Sequence, residues 1–244
     1  MNKIEERFLE IRRFCEKNAN PEIEKKYSRY FTEGYDAYGL DPKIFESQRA
    51  QWLKQWEQDF TLDDYVLLGD KLIATGKYEE ASFAIGFIYF LTEKFTAETF
   101  DKLGDWLEKG IVNWAHTDVL SGKALSYFIT EKIVDIDSLK EWNDSKSKWK
   151  RRSVPVILID VLKMDVPLEK LFHTIEPLML DSEQFVQKGL GWFLREAWKI
   201  HPEKTEDFLL KWKDTCGRTI IQYATEKMDK ENRSRFRRAK SDSR

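Results

Sequence analysis

The sequence predicts an all-helical chain, a solenoid of paired helices, on three observations. Glycine and proline are sparse, 11 and 6 in 244 residues, and 34% of residues are charged, which suits helical surfaces joined by short connections. Capping side chains recur just ahead of residues suited to a first helical turn. No sustained alternation of apolar and polar residues calls for a sheet.

Taken in order, the N-terminal stretch MNKIEERFLEIRRF carries acids throughout and lacks a continuous apolar core. It reads as an amphipathic helix rather than a signal peptide. Further starts are marked by Asn20 before Pro21, Asp41 before Pro42, Thr61 before Leu62-Asp63-Asp64, Thr96 before Ala97-Glu98, and Ser182 before Glu183. Gly34, Gly39, Gly76 and Gly110 stand near expected helix ends, where a left-handed residue lets the chain turn away. Roughly a dozen helices result. The β-branched run Val154 to Ile159 has the composition of a buried strand. A lone strand would have no ladder partner, so helix is expected, with Pro155 in the first turn or at a kink.

The most apolar stretches, residues 81–91 and 154–162, are too short to span a bilayer, so a soluble cytoplasmic protein is expected. Cys15 and Cys216 belong to no CxxC pair, which argues against a zinc site or a disulfide framework. His116, His173 and His201 show no ligand spacing, which disfavours a metal-dependent hydrolase. The formal charge is -2, but from Lys227 onward eight basic residues face three acidic ones. That local balance of +5 leaves the remaining body near -7. Nucleic-acid binding would therefore rest on a local patch and on this tail. The expected organisation is a repeat domain over 1–226 and a basic tail over 227–244, either a disordered arm adding salt-sensitive affinity or a solvated end.

Spacing sharpens the architecture. Trp114, Arg152 and Trp192 are separated by 38 and 40 residues, close to the ~40-residue period of HEAT-type helix pairs. Equivalent helices in successive repeats would turn them toward one concave face. In the helix expected over 182–199, the 100° step places Val186, Leu190, Phe193, Leu194 and Ala197 on one apolar stripe. Trp192 falls opposite, with Phe185, Lys188, Arg195 and Lys199, and aromatic planes among cations suit a nucleotide backbone. The same helix also reads as one sandwiched between repeats, both faces buried and its cations snorkelling at the edge. Trp114 and Asp118 stand four apart and share a helical face, with Gly122 one turn on leaving space beside the carboxylate. The alternative is a core tryptophan with a surface or salt-bridged aspartate. Arg152 suits a phosphate through its planar fork, or pairs with an acid on a neighbouring helix, and Arg151 beside it could take its place.

Together these segments resemble the bacterial alkylpurine DNA glycosylases of the AlkD-like family, from about residue 5 to 215. The most specific match is Gln187-Lys188-Gly189-Leu190-Gly191-Trp192-Phe193-Leu194-Arg195-Glu196, similar to that family's Lys-x-x-Gly-Trp-x-Leu-Arg-Glu run. Trp114-x-x-x-Asp118, Trp149 followed by Arg152, and Arg29-Tyr30 followed by Gly39-Leu40-x-Pro42 support it. The resemblance implies a HEAT-like superhelix with a concave DNA-binding face. It implies that Trp114 and Trp192 contact the lesion's deoxyribose, that Asp118 is the catalytic carboxylate, and that Arg152 holds the DNA backbone. Tyr30, Phe185, Lys188 and Arg195 would line the same cleft. It implies cationic N3- and N7-alkylated purines in duplex DNA as substrates, no metal or organic cofactor, a monomer, and little dependence on base flipping. Two departures stand out: Ala115 follows the first tryptophan where relatives carry an acidic or polar residue, and Lys43 is the nearest basic residue after Pro42. The alternative function is a non-catalytic module binding DNA structures or a protein partner.

Overall fold

In the computed structural model, which describes residues 2–238, every regular element is helical: fourteen α-helices, three 3-10 helices and one π-helix. The fold class is the one the sequence predicts. The chain divides after Ala124 into two compact units.

The first unit holds α1 (Lys3–Lys17), α2 (Pro21–Ser28), α3 (Pro42–Trp56), α4 (Leu62–Ala74), α5 (Tyr78–Ile88), α6 (Ala97–Lys109) and α7 (Trp114–Leu120). Their starts follow the caps. Asn20 accepts from Glu22 and Ile23, Asp41 from Lys43 and Ile44, and Asn113 from His116, while Thr61 with Asp64 and Thr96 with Thr99 form capping boxes. Each satisfies amides that the helix leaves without an intrahelical acceptor. The core is aromatic: Trp52 stacks on Trp56 at 5.4 Å and 18°, with Phe83 and Phe87 packed edge-on or tilted against them.

α5 is buried on nearly every side, even at Glu79 and Glu80 in its first turn. Both carboxylates are satisfied. Glu80 pairs with Arg12 and accepts from the Tyr38 hydroxyl at 2.8 Å. Glu79 accepts the backbone amides of Tyr38, Gly39 and Leu40 at 2.8, 2.7 and 3.1 Å, so it clamps the loop between α2 and α3. Gly39 sits there at φ 76°, and an added Cβ would lie 2.2 Å from Asn20 O. Gly34 and Gly76 also take positive φ. Gly110 does not: at φ -136° its constraint is room, because a Cβ would meet Ile73 Cγ2 at 2.2 Å.

The second unit holds α8 (Ser126–Thr130), α9 (Lys148–Val161), α10 (Leu168–Ile175), α11 (Gln184–Ile200), α12 (Pro202–Trp212), α13 (Arg218–Ala224) and α14 (Lys230–Ser234). The Val154 to Ile159 run is helical, with Pro155 inside α9 and Val154, Ile157 and Leu158 fully buried. α11 begins two residues after the expected Ser182 cap. Glu183 stands at its N-cap without a side-chain bond, and Asp181 supplies the acceptor for the Glu183 amide.

α11 packs between α9 and α13. Two glycines admit these neighbours. A Cβ at Gly189 would touch the Arg152 stem at 3.2 Å, and one at Gly191 would lie 2.4 Å from Tyr223 Cβ and 2.9 Å from Ile220 O. Of the basic tail, residues 227–238 are described, and they pack rather than extend: Met228 and Phe236 are buried, and Arg238 donates to Cys216 O. These apolar contacts give the segment a core that its charge run concealed. Residues 239–244 lie outside the described part. No described helix is long and apolar enough to cross a membrane.

Candidate functional site

In the first unit the site is built on α7. Asn113 caps it, and His116 then locks the turn. The His116 Nδ1 accepts from the Asn113 amide at 2.9 Å, its Nε2 lies 2.8 Å from Ser82 Oγ, and Ser82 Oγ donates to Tyr78 O. That arrangement places the ring proton on Nε2 and leaves the imidazole neutral. Complete burial, opposed only by a hydrogen bond involving the Tyr78 backbone, depresses its pKa to about 3. The ring also stacks on Tyr78 at 4.4 Å.

This anchoring fixes Trp114 and Asp118. Trp114, the first residue of α7, is half-buried and donates its indole N–H to Tyr30 O at 3.2 Å. Its ring lies nearly parallel to Phe31 at 5.8 Å and 18°, and Phe31 stacks on Tyr35 at 4.6 Å and 8°. Trp114 thus lies against the Tyr30 backbone, with Tyr30 52% exposed. Asp118 is half-buried one turn after Trp114. Immediately beyond, the helix widens into a π-helix over Ser121–Leu125, a departure that recurs where helices carry function. A Cβ at Gly122 would meet nothing within 4 Å, so space does open beside this turn.

Beside α7 lies a cavity of about 550 Å³ that the sequence reading did not find. Trp114 and Ala115 form one side, and Tyr27, Tyr30, Phe31, Tyr35, Phe45 and Tyr78 supply aromatic walls above Glu79. The signal was present as five aromatics between residues 27 and 38, but their convergence depends on the Glu79 clamp. An adjoining cavity of about 590 Å³ is lined by Arg49, Glu46, Tyr89 and Lys123 among others. Arg49, the buried cation of α3, pairs there with Glu46 and lies over Phe45, Tyr89 and Phe90.

In the second unit α11 follows its predicted phase. Val186, Leu190, Phe193, Leu194 and Ala197 are fully buried, while Phe185, Lys188, Trp192 and Arg195 are half-buried and Lys199 is exposed. Lys188 stands 5.3 Å and Lys148 5.5 Å from the Phe185 ring, which packs on Trp149 at 4.9 Å. Arg152 is only 5% exposed: it donates to Phe185 O at 2.5 Å and ties α9 to the first turn of α11. Arg151 is held by Asp181 at 2.6 Å and by Ser145 O at 2.7 Å.

Arg195 is engaged by Glu196 at 3.2 Å and by Glu226 at 2.7 Å, and Lys199 by Glu196. Burial works against the Glu196 charge, and hydrogen bonds from Lys199 and Arg195 outweigh it, leaving the carboxyl below its usual range. The cationic face is therefore balanced by carboxylates toward its C-terminal end, and its cation–π pairs gather toward the N-terminal end. A further cleft of about 730 Å³ near the C-terminus is lined by Lys213, Arg218, Arg233, Arg237 and Arg238, with no carboxylate among its lining residues.

A family model described as "DNA alkylation repair enzyme" matches residues 11–228. A solved structure titled as a predicted DNA alkylation repair enzyme from Enterococcus faecalis superposes with a TM-score of 0.76 at 16% identity, covering 87% of this chain and 98% of that one. AlkD2 from Streptococcus mutans superposes with a TM-score of 0.58 at 20% identity, covering 86% and 97%. At these identities the likeness is one of fold. No curated protein sequence matches the chain.

Proposed function

The chain belongs to the family of DNA alkylation repair enzymes, and from that premise we propose that it is a DNA glycosylase releasing cationic N3- or N7-alkylated purines from duplex DNA. The observation that carries this reading is the α7 turn: a half-buried carboxylate, Asp118, one turn from an indole held by Tyr30 O, beside an opening at Gly122.

The chemistry follows from the substrate's charge. An N3- or N7-alkylated purine leaves as a neutral base and needs little help from a general acid. The difficulty lies at the sugar, which acquires oxocarbenium character as the glycosidic bond breaks. A carboxylate and the negative faces of indole rings stabilise that cation, the roles proposed for Asp118, Trp114 and Trp192. Asp118 also orients the attacking water. Lys188 and Phe185 are proposed to meet the DNA backbone, with Tyr30 beside the lesion. Arg152 acts through Phe185, whose carbonyl it holds, and Arg195 engages phosphate by exchanging Glu226, a carboxylate exposed on the surface.

Incubating the protein with methylated duplex DNA and measuring free 3-methyladenine and 7-methylguanine tests the proposal. Asp118→Asn is expected to lower release by about 10²- to 10⁴-fold while DNA binding is retained. DNA binding by the unmodified protein with no release above background would overturn the enzyme reading and favour a non-catalytic DNA-binding module.

A further inference from the structure

The aromatic cavity beside α7 stands apart in its charge. Arg49 and Lys123 line the adjoining cavity and five basic residues line the C-terminal cleft, whereas no lysine or arginine is among the described residues that line this one. A nucleic-acid phosphate has no basic partner there, so the cavity calls for a different guest. Glu79 lines it at 5% exposure, and its carboxylate accepts the amides of Tyr38, Gly39 and Leu40, so neutral donors hold the negative charge. That charge reaches the walls. Burial first and Glu79 next push the Tyr78 pKa up to about 12, and the same two causes raise that of Tyr35, so both phenols stay neutral. Phe31 lies in a row between Tyr35, at 4.6 Å and 8°, and Trp114, at 5.8 Å and 18°, and the outer faces of the two end rings are not covered by it. Tyr78 stands 4.9 Å from Tyr35, tilted by 58°. Indole and phenol faces carry the negative part of the ring quadrupole and, with the buried carboxylate, favour a positive guest.

The kind of cation follows from hydrogen bonding. An ammonium or guanidinium brings N–H groups that lose their water on entry and need acceptors, but both oxygens of Glu79 already accept amides and the walls are chiefly ring carbon. A quaternary ammonium has no N–H to satisfy, and ring faces and the carboxylate both attract it. At about 550 Å³ the cavity falls in the ordinary range of small-ligand pockets and leaves room for a short chain beside the head group. We propose that this cavity is a binding site for a small molecule bearing a trimethylammonium head, of the choline type. The inference goes beyond the glycosylase reading and does not rest on it. The site is preformed: Glu79 clamps residues 38–40, and Tyr30 O fixes the Trp114 indole.

The probes are choline, its uncharged isostere 3,3-dimethyl-1-butanol, and ethanolamine as the primary ammonium counterpart. Each is titrated into the whole chain at neutral pH, followed by calorimetry and by tryptophan fluorescence. Choline is expected to bind about tenfold more tightly than either, the factor corresponding to one desolvated cation–π contact. Tyr35→Leu is expected to erase that preference in a protein whose circular dichroism is unchanged, and Tyr35→Phe, which keeps the ring, to retain it. Absence of choline binding, equal affinity for the butanol, or a preference that survives Tyr35→Leu overturns the proposal. Ethanolamine binding as tightly as choline overturns the quaternary assignment, and a trimethyllysine peptide binding more tightly than choline overturns the small-molecule one. No nucleic acid enters these titrations, so their failure leaves the glycosylase reading standing, and absence of base release leaves this one.

Discussion

His116 shows how a single residue holds the helix that carries a candidate site. Its neutral ring bridges Asn113 and Ser82, so a proton added to Nδ1 would destroy the bond from the Asn113 amide and place a charge in a fully buried position. The folded pKa of about 3 lies below the ordinary value of 6.5. In that interval the unfolded chain binds the proton and the folded chain does not, so stability falls as pH drops from about 6.5 toward 3. His116→Gln is expected to lower the melting temperature near neutrality yet to show a smaller further loss on acidification, as read by thermal melts across that pH range. An equal acid-induced loss in both proteins would remove His116 as its cause. The sequence showed at this scale that His116 lacks metal-ligand spacing. Its neutral bridging role was invisible, since Ser82 lies 34 positions away.

Among the elements, α11 was the most legible. Its apolar stripe and opposite aromatic-cationic face follow from the 100° step, and burial follows the same division. The partners of that face were not legible. Glu226, 31 positions on, claims Arg195, and Arg152 lies buried against Gly189 with its guanidinium on Phe185 O. Gly189 and Gly191 appear in the motif without a reason that local sequence supplies; the structure gives one, the close approach of α9 and α13. Gly191→Ala is expected to destabilise the protein by about 1–3 kcal/mol in urea unfolding, because its Cβ would collide with Tyr223 Cβ and the Ile220 carbonyl. Gly122→Ala, whose Cβ meets nothing, is expected to be neutral or stabilising by up to about 1 kcal/mol. Similar losses at both positions would show that helix propensity, not interhelical space, sets the cost.

For the whole molecule, a net charge of -2 leaves DNA affinity to local concentrations of positive charge. The C-terminal cleft is one: Arg218 and Arg237 are exposed along it, and the tail that supplies Arg233, Arg237 and Arg238 is anchored by Phe236. If these groups meet phosphates, log affinity should fall steeply with log salt concentration. Arg218→Gln with Arg237→Gln is then expected to reduce that slope by about 1 per residue without changing discrimination between methylated and unmethylated duplex. An unchanged slope in a salt titration would exclude the cleft from the DNA contact.

The sequence by itself determined the helical class, the starts of α2, α3, α4 and α6 and the division of α11 into two faces, because caps and amphipathic stripes act within one or two turns. It also supplied the family motif that leads to Trp114, Asp118 and Trp192. Only the tertiary structure decided that Arg152 is buried, that Arg195 is neutralised by Glu226, and that aromatics from the α2–α3 loop close a cavity over Glu79 beside α7. Each depends on groups tens of residues apart coming within hydrogen-bonding or van der Waals distance, and no local periodicity encodes such a distance.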